Sequence, residues 1–268
     1  MKRVIRLHTF CSVKGGVGKS SLAVVLAKLV ASEGGVPVVI DADFTGTSLA
    51  DGLPLCSPKL ALDESGAPSL KVPPSGQYLN WSETRSLRAD RAASKRGNVQ
   101  PPYLNDVLGY DPDVRADAAL WRNESNDGVR YLPSSAILGD VRASLRWLDS
   151  TRAFDWVCRL SWLIDGLLSN VPDLTDVVLD LPPGVWGFAH GVMVLVSALE
   201  NDKPMPDAYP PWRELEVGMR VNPFLVVTPD RNDLVPGLEY FVRTLRNVPS
   251  LRPLLNRATS SPTTSKKH

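Results

Sequence analysis

Residues 11–21 constrain the fold of this chain more than any other stretch. Here Cys-Ser-Val-Lys-Gly-Gly-Val-Gly-Lys-Ser-Ser follows a β-branched, apolar run over 4–10 and precedes apolar residues that recur at helical spacing from Leu22. The glycines let the backbone adopt left-handed dihedrals, so that its N–H groups can curl around an anion. A strand, a glycine-rich loop and a helix in this order predict a loop that binds the phosphates of a nucleotide.

Two side chains of this loop have predicted roles of their own. Lys19 supplies a positive charge to the phosphates, and Ser20 offers its hydroxyl to Mg²⁺, while the helix that begins there points its positive dipole end at the nucleotide. The usual pattern has glycine at its first position, but Val13 stands there and a second lysine, Lys14, follows it. A glycine-rich turn without a ligand is the alternative interpretation.

Residues 14–21, Lys-Gly-Gly-Val-Gly-Lys-Ser-Ser, resemble the deviant Walker A loop of the MinD/ParA family of P-loop ATPases. The resemblance implies a three-layer α/β fold, with a mostly parallel sheet and helices on both faces, and it implies ATP and Mg²⁺ as cofactors. In the family the early lysine reaches across a dimer interface to the partner's nucleotide, which assigns Lys14 to that role and Lys19 to the nucleotide of its own chain. The nucleotide-binding residues implied by this loop are Lys14, Gly15, Gly16, Val17, Gly18, Lys19, Ser20 and Ser21.

Two aspartates follow the second predicted strand. Residues 36–40 form a short continuous apolar run, typical of a strand covered on both faces, and Asp41 and Asp43 come directly after it. Because ligands lie at the carboxyl ends of parallel strands, we expect both carboxylates to reach the γ-phosphate side of the site. The pair resembles the first switch region of the family, in which the second acidic residue orients the attacking water. Asp43 is therefore assigned to catalysis with Lys14 and Lys19, and the alternative is a turn with helix-capping aspartates.

A third strand ends in an aspartate within 177–184, Val-Val-Leu-Asp-Leu-Pro-Pro-Gly. Such an ending brings the carboxylate of Asp180 to the Mg²⁺ shell, so that Ser20, Asp43 and Asp180 form the predicted metal site. The Pro-Pro-Gly ending resembles the second switch of the family. Residues 254–257, Leu-Leu-Asn-Arg, resemble a strand end that contacts adenine in the family, which assigns Asn256 to nucleotide binding.

One domain over 1–257 is the simplest organisation for a chain of 268 residues, with a polar, disordered tail at 258–268. Helical spacing predicts a helix within 154–167, and two proline-rich stretches near 53–102 and 201–212 are interpreted as insertions or flexible loops.

The first of these proline-rich stretches, 53–102, carries a run of basic residues. This run either contacts DNA or is a solvated loop, and both interpretations are open. The basic residues are Arg85, Arg88, Arg91, Lys95 and Arg96.

Composition narrows the class of protein further. The 30 Lys and Arg residues balance 29 Asp and Glu residues, so the net charge does not draw the chain onto nucleic acid or an anionic membrane. Three cysteines without a C-x-x-C pair argue against a disulfide framework, a zinc site or an iron–sulfur ligand pair, and they fit a reducing cytoplasm. The longest later apolar stretch, 185–199, is interrupted by glycine and histidine, so we expect neither a membrane span nor a MinD-like amphipathic membrane helix at the C-terminus.

The main interpretation is an ATP-dependent dimerisation switch that hydrolyses ATP to ADP and phosphate. Its output is a change of partner, which serves the positioning, partition or recruitment of a protein or other cargo. Lys14 favours this interpretation, because a second loop lysine is not needed to hold one nucleotide within one chain.

Two alternatives remain. One is an iron–sulfur carrier ATPase of the Mrp branch, which the strand endings at 41–43 and 180–184 also resemble. The other is a phosphotransferase acting on a small acceptor. A pure nucleic-acid-binding module is disfavoured by the balanced charge.

Overall fold

The secondary structure alternates between strands and helices along most of the chain. The computed structural model describes residues 3–44, 49–59, 61–62, 68–69, 78–93, 102–109, 116–147, 153–201 and 217–256. The strands are β1 (Arg3–Cys11), β2 (Pro37–Asp41), β3 (Leu55–Cys56), β4 (Ala61–Leu62), β5 (Pro68–Ser69), β6 (Trp121–Asn123), β7 (Arg130–Leu132), β8 (Asp176–Asp180), β9 (Val217–Val227) and β10 (Arg252–Leu255). The α-helices are α1 (Lys19–Ser32), α2 (Leu49–Gly52), α3 (Trp81–Ala93), α4 (Leu104–Gly109), α5 (Leu138–Trp147), α6 (Ala153–Asn170), α7 (Gly187–Glu200) and α8 (Arg231–Arg243).

Eight of these strands form one sheet in the order β10-β9-β1-β8-β2-β7-β6-β3. The first six run parallel to their neighbours, and β6 and β3 extend the sheet with antiparallel pairs. β8 lies between β1 and β2, although it follows them by more than a hundred residues. This order places the carboxyl ends of β1, β2 and β8 side by side at one edge of the sheet.

Helices cover both faces of the sheet. On one face α1 packs against β2, β8 and β1, and its Ala23, Val24 and Ala27 share a buried cluster with Val39 and Val178. On the other face α6 packs against α7, while α7 and α8 contact β9. β2 and β8 are buried at every residue, as expected for strands that helices cover on both sides. The predicted three-layer α/β fold with a mostly parallel sheet is confirmed.

The proline-rich stretch 53–102 contains a helix, so its interpretation as a loop is wrong for residues 81–93. Asn80 and Glu83 start α3 as a capping box. The Asn80 Oδ1 accepts the Glu83 N–H at 2.9 Å, and the Glu83 carboxylate accepts the Asn80 N–H at 2.9 Å. This pair satisfies two backbone donors that a helix start would otherwise leave without a partner.

The basic run of this stretch is partly occupied by contacts within the chain. Arg88 forms an ion pair with Asp51 at 2.6 Å, and the Arg85 guanidinium lies 5.1 Å from the centre of the Trp81 ring. The side chain of Arg91, and Lys95 and Arg96 as a whole, lie outside the described residues, as do the proposed tail and nearly all of 201–212. DNA contact by this run stays a prediction. Within the part of the chain that is described, no helix is both long and apolar enough to cross a membrane.

Asp176, the first residue of β8, is bonded to side chains of the neighbouring strand β1. Its fully buried carboxylate accepts hydrogen bonds from Arg6 at 2.8 Å and from Thr175 at 2.6 Å, and it lies 2.7 Å from His8 Nε2. Burial alone would raise the pKa of this carboxyl, but the hydrogen bonds from His8, Arg6 and Thr175 lower the pKa to about 2. The charged form of Asp176 therefore stabilises the fold.

We expect Asp176→Asn to lower the free energy of unfolding by about 2 kcal/mol at neutral pH. Because the folded-state pKa lies below the ordinary value of 3.8, the stabilisation is complete above that value and is lost as the pH falls towards 2. Urea unfolding of the wild type and the variant at neutral pH and at about pH 3 measures this difference. If the wild type and the variant differed in unfolding free energy by the same amount at both pH values, the role given to the charge of Asp176 would be contradicted.

Candidate functional site

The loop between β1 and α1 has the backbone that a phosphate-binding loop requires. Gly16 and Gly18 have φ values of 73° and 90°, in the left-handed region that favours glycine. Gly18 directly precedes α1, and a Cβ atom there would collide with the side-chain amide of Asn256. Glycine is therefore favoured at position 18 by the left-handed backbone conformation, and a larger residue would also displace the Asn256 side chain.

Two other segments hold this loop in place. The Gly184 N–H donates to the Ser12 carbonyl at 2.9 Å, so the segment after β8 is bonded to the start of the loop. From the other side, the Asn256 amide donates to the Val17 carbonyl at 2.7 Å. Asn256 thus lies at the predicted nucleotide-binding loop. Its assignment to adenine stays a prediction, and its neighbour Arg257 is outside the described residues.

Lys19 is the first residue of α1 and is only 5% exposed. No ion pair involves this ammonium group in the part of the chain that the structure describes, and the first turn of α1 contains no acidic residue. A buried cation with no carboxylate of the described residues at ion-pair distance is costly, and the positive end of the helix dipole adds to its potential. The site is therefore built to receive an anion, and phosphate groups fit it.

Asp180 supplies the opposite charge at the end of β8. Its side chain is fully buried, and neither carboxylate oxygen has a hydrogen-bond partner among the described residues. Burial and the nearby Asp41 raise the pKa of Asp180, whereas Ser20 and Lys19 oppose the rise. A buried carboxylate with free oxygens next to a serine hydroxyl is a suitable pair of ligands for Mg²⁺.

The described residues contain no cluster of three or more His, Cys, Asp or Glu side chains that could hold a metal ion by themselves. Mg²⁺ does not require such a cluster in a nucleotide site, because one or two carboxylates, waters and phosphate oxygens complete its octahedral shell. Ser20, Asp43 and Asp180 fit this partial ligand set in residue type, and Ser20 and Asp180 also fit in position.

Asp41 is the first of the two predicted switch carboxylates. Its side chain is 1% exposed, and its two oxygens accept hydrogen bonds from Asp43, Leu49 and Ser134. Burial raises the pKa of Asp41, while the hydrogen bonds from Leu49 and Ser134 lower it. The carboxylate is thus bonded inside the fold, and its reach to the γ-phosphate side of the site stays a prediction. Asp43 is half-buried two residues further on, at the edge of the sheet where Asp41 and Asp180 pair in register.

Lys14 has an environment unlike that of Lys19. Its side chain is 47% exposed, and its ammonium group lies 3.6 Å from the carboxylate of Asp230. Trp186 lies in the segment after β8 that is bonded to the same loop, and it is 80% exposed. The phosphate loop and the segment bonded to it therefore each present one exposed large side chain, Lys14 and Trp186.

Sequence reasoning missed Ser134, which bonds to the Asp41 carboxylate and is 1% exposed. A signal for it exists, because Pro133-Ser134 directly follows the strand β7 and β7 pairs in parallel with β2. Polar residues at the carboxyl ends of neighbouring parallel strands meet at the same edge of the sheet. The same reasoning that selected Asp41, Asp43 and Asp180 would have selected Ser134.

Comparisons with known proteins agree with this geometry. A family model described as ParA: NUBPL iron-transfer P-loop NTPase matches residues 3–82, which include the phosphate loop and Asp43. No curated protein matches the sequence. The predicted resemblance to P-loop NTPases of the MinD/ParA type is confirmed.

Solved structures share the fold at low sequence identity. A protein from Borrelia burgdorferi B31 that is assigned to plasmid partition and bound to AMPPNP has a TM-score of 0.50 and 16% identity, over 96% of this chain and 78% of that one. The cell division ATPase MinD of Pyrococcus furiosus has a TM-score of 0.47 and 15% identity, over 95% and 70% of the two chains. Cobyrinic acid a,c-diamide synthase from Mycobacterium smegmatis, with an ATP analog and magnesium, has a TM-score of 0.47 and 18% identity, over 94% and 75%. At these identities the likeness concerns the fold alone.

Proposed function

We propose that this P-loop NTPase of the MinD/ParA type is an ATPase switch, which binds ATP with Mg²⁺, pairs with a second copy of itself and separates after hydrolysis. The observation that carries the proposal is the contrast between the two loop lysines. Lys19 is 5% exposed at the start of α1, whereas the Lys14 side chain is 47% exposed. This contrast supports the assignment of Lys19 to the nucleotide of its own chain and of Lys14 to the nucleotide of a neighbour.

The ion pair between Lys14 and Asp230 does not prevent such a role. Both side chains are about half exposed, and their charged atoms are 3.6 Å apart. Exposed pairs of this kind contribute about 0–1 kcal/mol, so Lys14 can exchange Asp230 for a phosphate group at little cost. Trp186, in the segment bonded to the loop, also supports a contact between copies, because an 80% exposed tryptophan gains much from burial.

In the proposed reaction each residue has a separate task. The backbone N–H groups of 14–19 and the Lys19 ammonium bind the phosphates, while Ser20 and Asp180 hold Mg²⁺ against them. When bound, Mg²⁺ neutralises charge on the β- and γ-phosphate oxygens. Asp43 orients the water that attacks the γ-phosphate, and Lys14 from the second copy stabilises the charge of the transition state.

The output of the proposed switch is the change between the single and the paired form, and not a small-molecule product. We propose that residues 1–257 act as one domain in the cytoplasm, where the paired form recruits, positions or partitions a protein partner or other cargo. The plasmid-partition assignment of the Borrelia structure supports a role of this class. The balanced charge of 30 Lys and Arg against 29 Asp and Glu favours a protein partner over DNA.

Iron transfer is the second candidate, because the description of the matching family model includes it. The cysteines give it little support. Cys11, Cys56 and Cys158 are all buried and none of them forms a disulfide, and burial raises the pKa of the Cys11 thiol to about 12. Cys11 in β1 and Cys56 in β3 are five strand positions apart, or roughly 24 Å at the usual strand spacing. At this distance Cys11 and Cys56 cannot bind the same iron–sulfur cluster within one chain.

Phosphate release at increasing protein concentration tests the proposal. We expect turnover per chain to rise with concentration, because hydrolysis needs the Lys14 of a second copy, and we expect Lys14→Ala to abolish the rise. Lys28→Ala is a matched control, since Lys28 is also about half exposed and ion-paired, to Asp127 at 3.3 Å, but lies further along α1. Turnover per chain that does not depend on concentration would contradict the proposed pairing.

A further inference from the structure

The Asp41 carboxylate acts as a clamp on the backbone at residues 43 and 49. The Asp43 N–H donates to Asp41 Oδ1 at 3.3 Å, and the Leu49 N–H donates to Asp41 Oδ2 at 2.9 Å. Asp41 is fixed at the end of β2 and is 1% exposed. The position of residues 43 and 49 therefore depends on the orientation of this single carboxylate.

Ser134 fixes that orientation. Its Oγ lies 2.9 Å from Asp41 Oδ2 and 3.2 Å from the Asp43 carbonyl oxygen, so the hydroxyl proton is shared between the two acceptors. The Ser134 N–H also points to Asp41 Oδ2, at 3.3 Å. Ser134, two residues past the end of β7, thus contacts both this clamp, the Asp41 carboxylate, and the backbone of the predicted catalytic Asp43.

The segment around Ser134 is itself held firmly. The Pro133 carbonyl accepts the Leu104 N–H at 2.8 Å, where α4 begins. The Ser135 N–H donates to Asn105 Oδ1 at 2.7 Å, and the Ser135 hydroxyl donates separately to Asp140 of α5 at 2.6 Å. Because the two backbone bonds to α4 fix this segment without the Ser135 hydroxyl, Ser134 provides a stationary point against which Asp41 and Asp43 are set.

We propose that Ser134 is a positioning residue for hydrolysis, acting through Asp41 and through the backbone of Asp43. The inference rests on the proposed function, since it assumes that Asp43 orients the attacking water. Binding of ATP does not depend on Ser134, because the phosphates lie on the loop 14–19, which Ser134 does not contact. Small displacements of a positioned group are costly in catalysis, and a shift of about 1 Å can lower a rate by about 100-fold.

The test compares Ser134→Ala with Ser135→Ala. Both serines are 1% exposed, and each hydroxyl donates to a buried carboxylate, so both variants lose the same kind of hydrogen bond. We expect Ser134→Ala to lower kcat about 10-fold or more, with KM and the Kd for ATP changed less than about 2-fold. Ser135→Ala keeps kcat within about 2-fold, and Ser134→Thr, which retains the hydroxyl, recovers most of the lost rate.

Amide hydrogen exchange gives a second readout that does not need hydrolysis. The N–H groups of Asp43 and Leu49 both donate to Asp41, so Ser134→Ala speeds their exchange and Ser135→Ala does not. Equal kcat and equal exchange in the two alanine variants would overturn the role of Ser134. A wild type without ATPase activity would overturn the proposed function instead, and the exchange rates would still decide whether Ser134 holds the clamp.

Discussion

Lys19→Ala is expected to lower the affinity for ATP by about 100- to 1,000-fold. Lys19 is the buried cation of the loop, and no ion pair of the described residues neutralises it. Removing a charge that binds a desolvated anion costs roughly 2–5 kcal/mol, which corresponds to a change of this size. Titration with a fluorescent ATP analogue, or calorimetry, measures the affinity directly.

The same substitution separates ligand binding from folding. The free energy of unfolding without ATP, measured for the wild type and the variant, shows whether folding is affected as well. Lys28→Ala is the control, and its affinity for ATP should equal that of the wild type. If Lys19→Ala and Lys14→Ala reduced the affinity equally, the assignment of the two lysines to different nucleotides would be wrong.

Asp43→Ala is expected to bind ATP normally and to hydrolyse it about 100-fold more slowly. Phosphoryl transfer to water requires mainly positioning and charge stabilisation, so the residue that orients water can be lost while the nucleotide stays bound. The slow variant should remain in the paired form that the wild type occupies only briefly.

Asp180→Ala provides the contrast. Both oxygens of Asp180 are buried without a hydrogen-bond partner among the described residues, which suits a ligand of Mg²⁺. Its loss should therefore weaken Mg²⁺-dependent binding of ATP, whereas Asp43→Ala should not. Affinity with and without Mg²⁺, measured beside turnover for both variants, separates the two roles. Hydrolysis at the wild-type rate in Asp43→Ala would remove this residue from the mechanism.

Local sequence patterns predict most of the sheet. Continuous apolar runs identify β2 and β8, because strands buried on both faces have no polar side chains in their interior, and the glycine-rich loop identifies β1 and α1. The first half of β9, from Val217, is not evident from the sequence, because Arg220 and Asn222 interrupt the apolar pattern. α3 was missed because proline and charge dominate its surroundings, although Asn80 and Glu83 have the spacing of a capping box.

The candidate site is less predictable than the sheet, because the hydrogen-bond partners of its side chains are distant in the sequence. In the sequence Asp41 and Asp43 look equivalent, because both are aspartates that follow the same strand. The structure distinguishes them, since Ser134, about ninety residues away, and Leu49 occupy the oxygens of Asp41. Asp180 was predicted by its strand ending alone, whereas the absence of hydrogen-bond partners within the described chain is visible only in three dimensions.

The mass of Asp43→Ala in solution tests the central claim most directly, because this variant is expected to keep bound ATP intact. Sedimentation velocity with saturating ATP and Mg²⁺ should give twice the 29.2 kDa of one chain, and the ADP form should give the mass of one chain. Adding Lys14→Ala to the variant should return the ATP form to the mass of one chain. A mass of 29.2 kDa for Asp43→Ala with ATP demonstrably bound would contradict the ATP-dependent pairing.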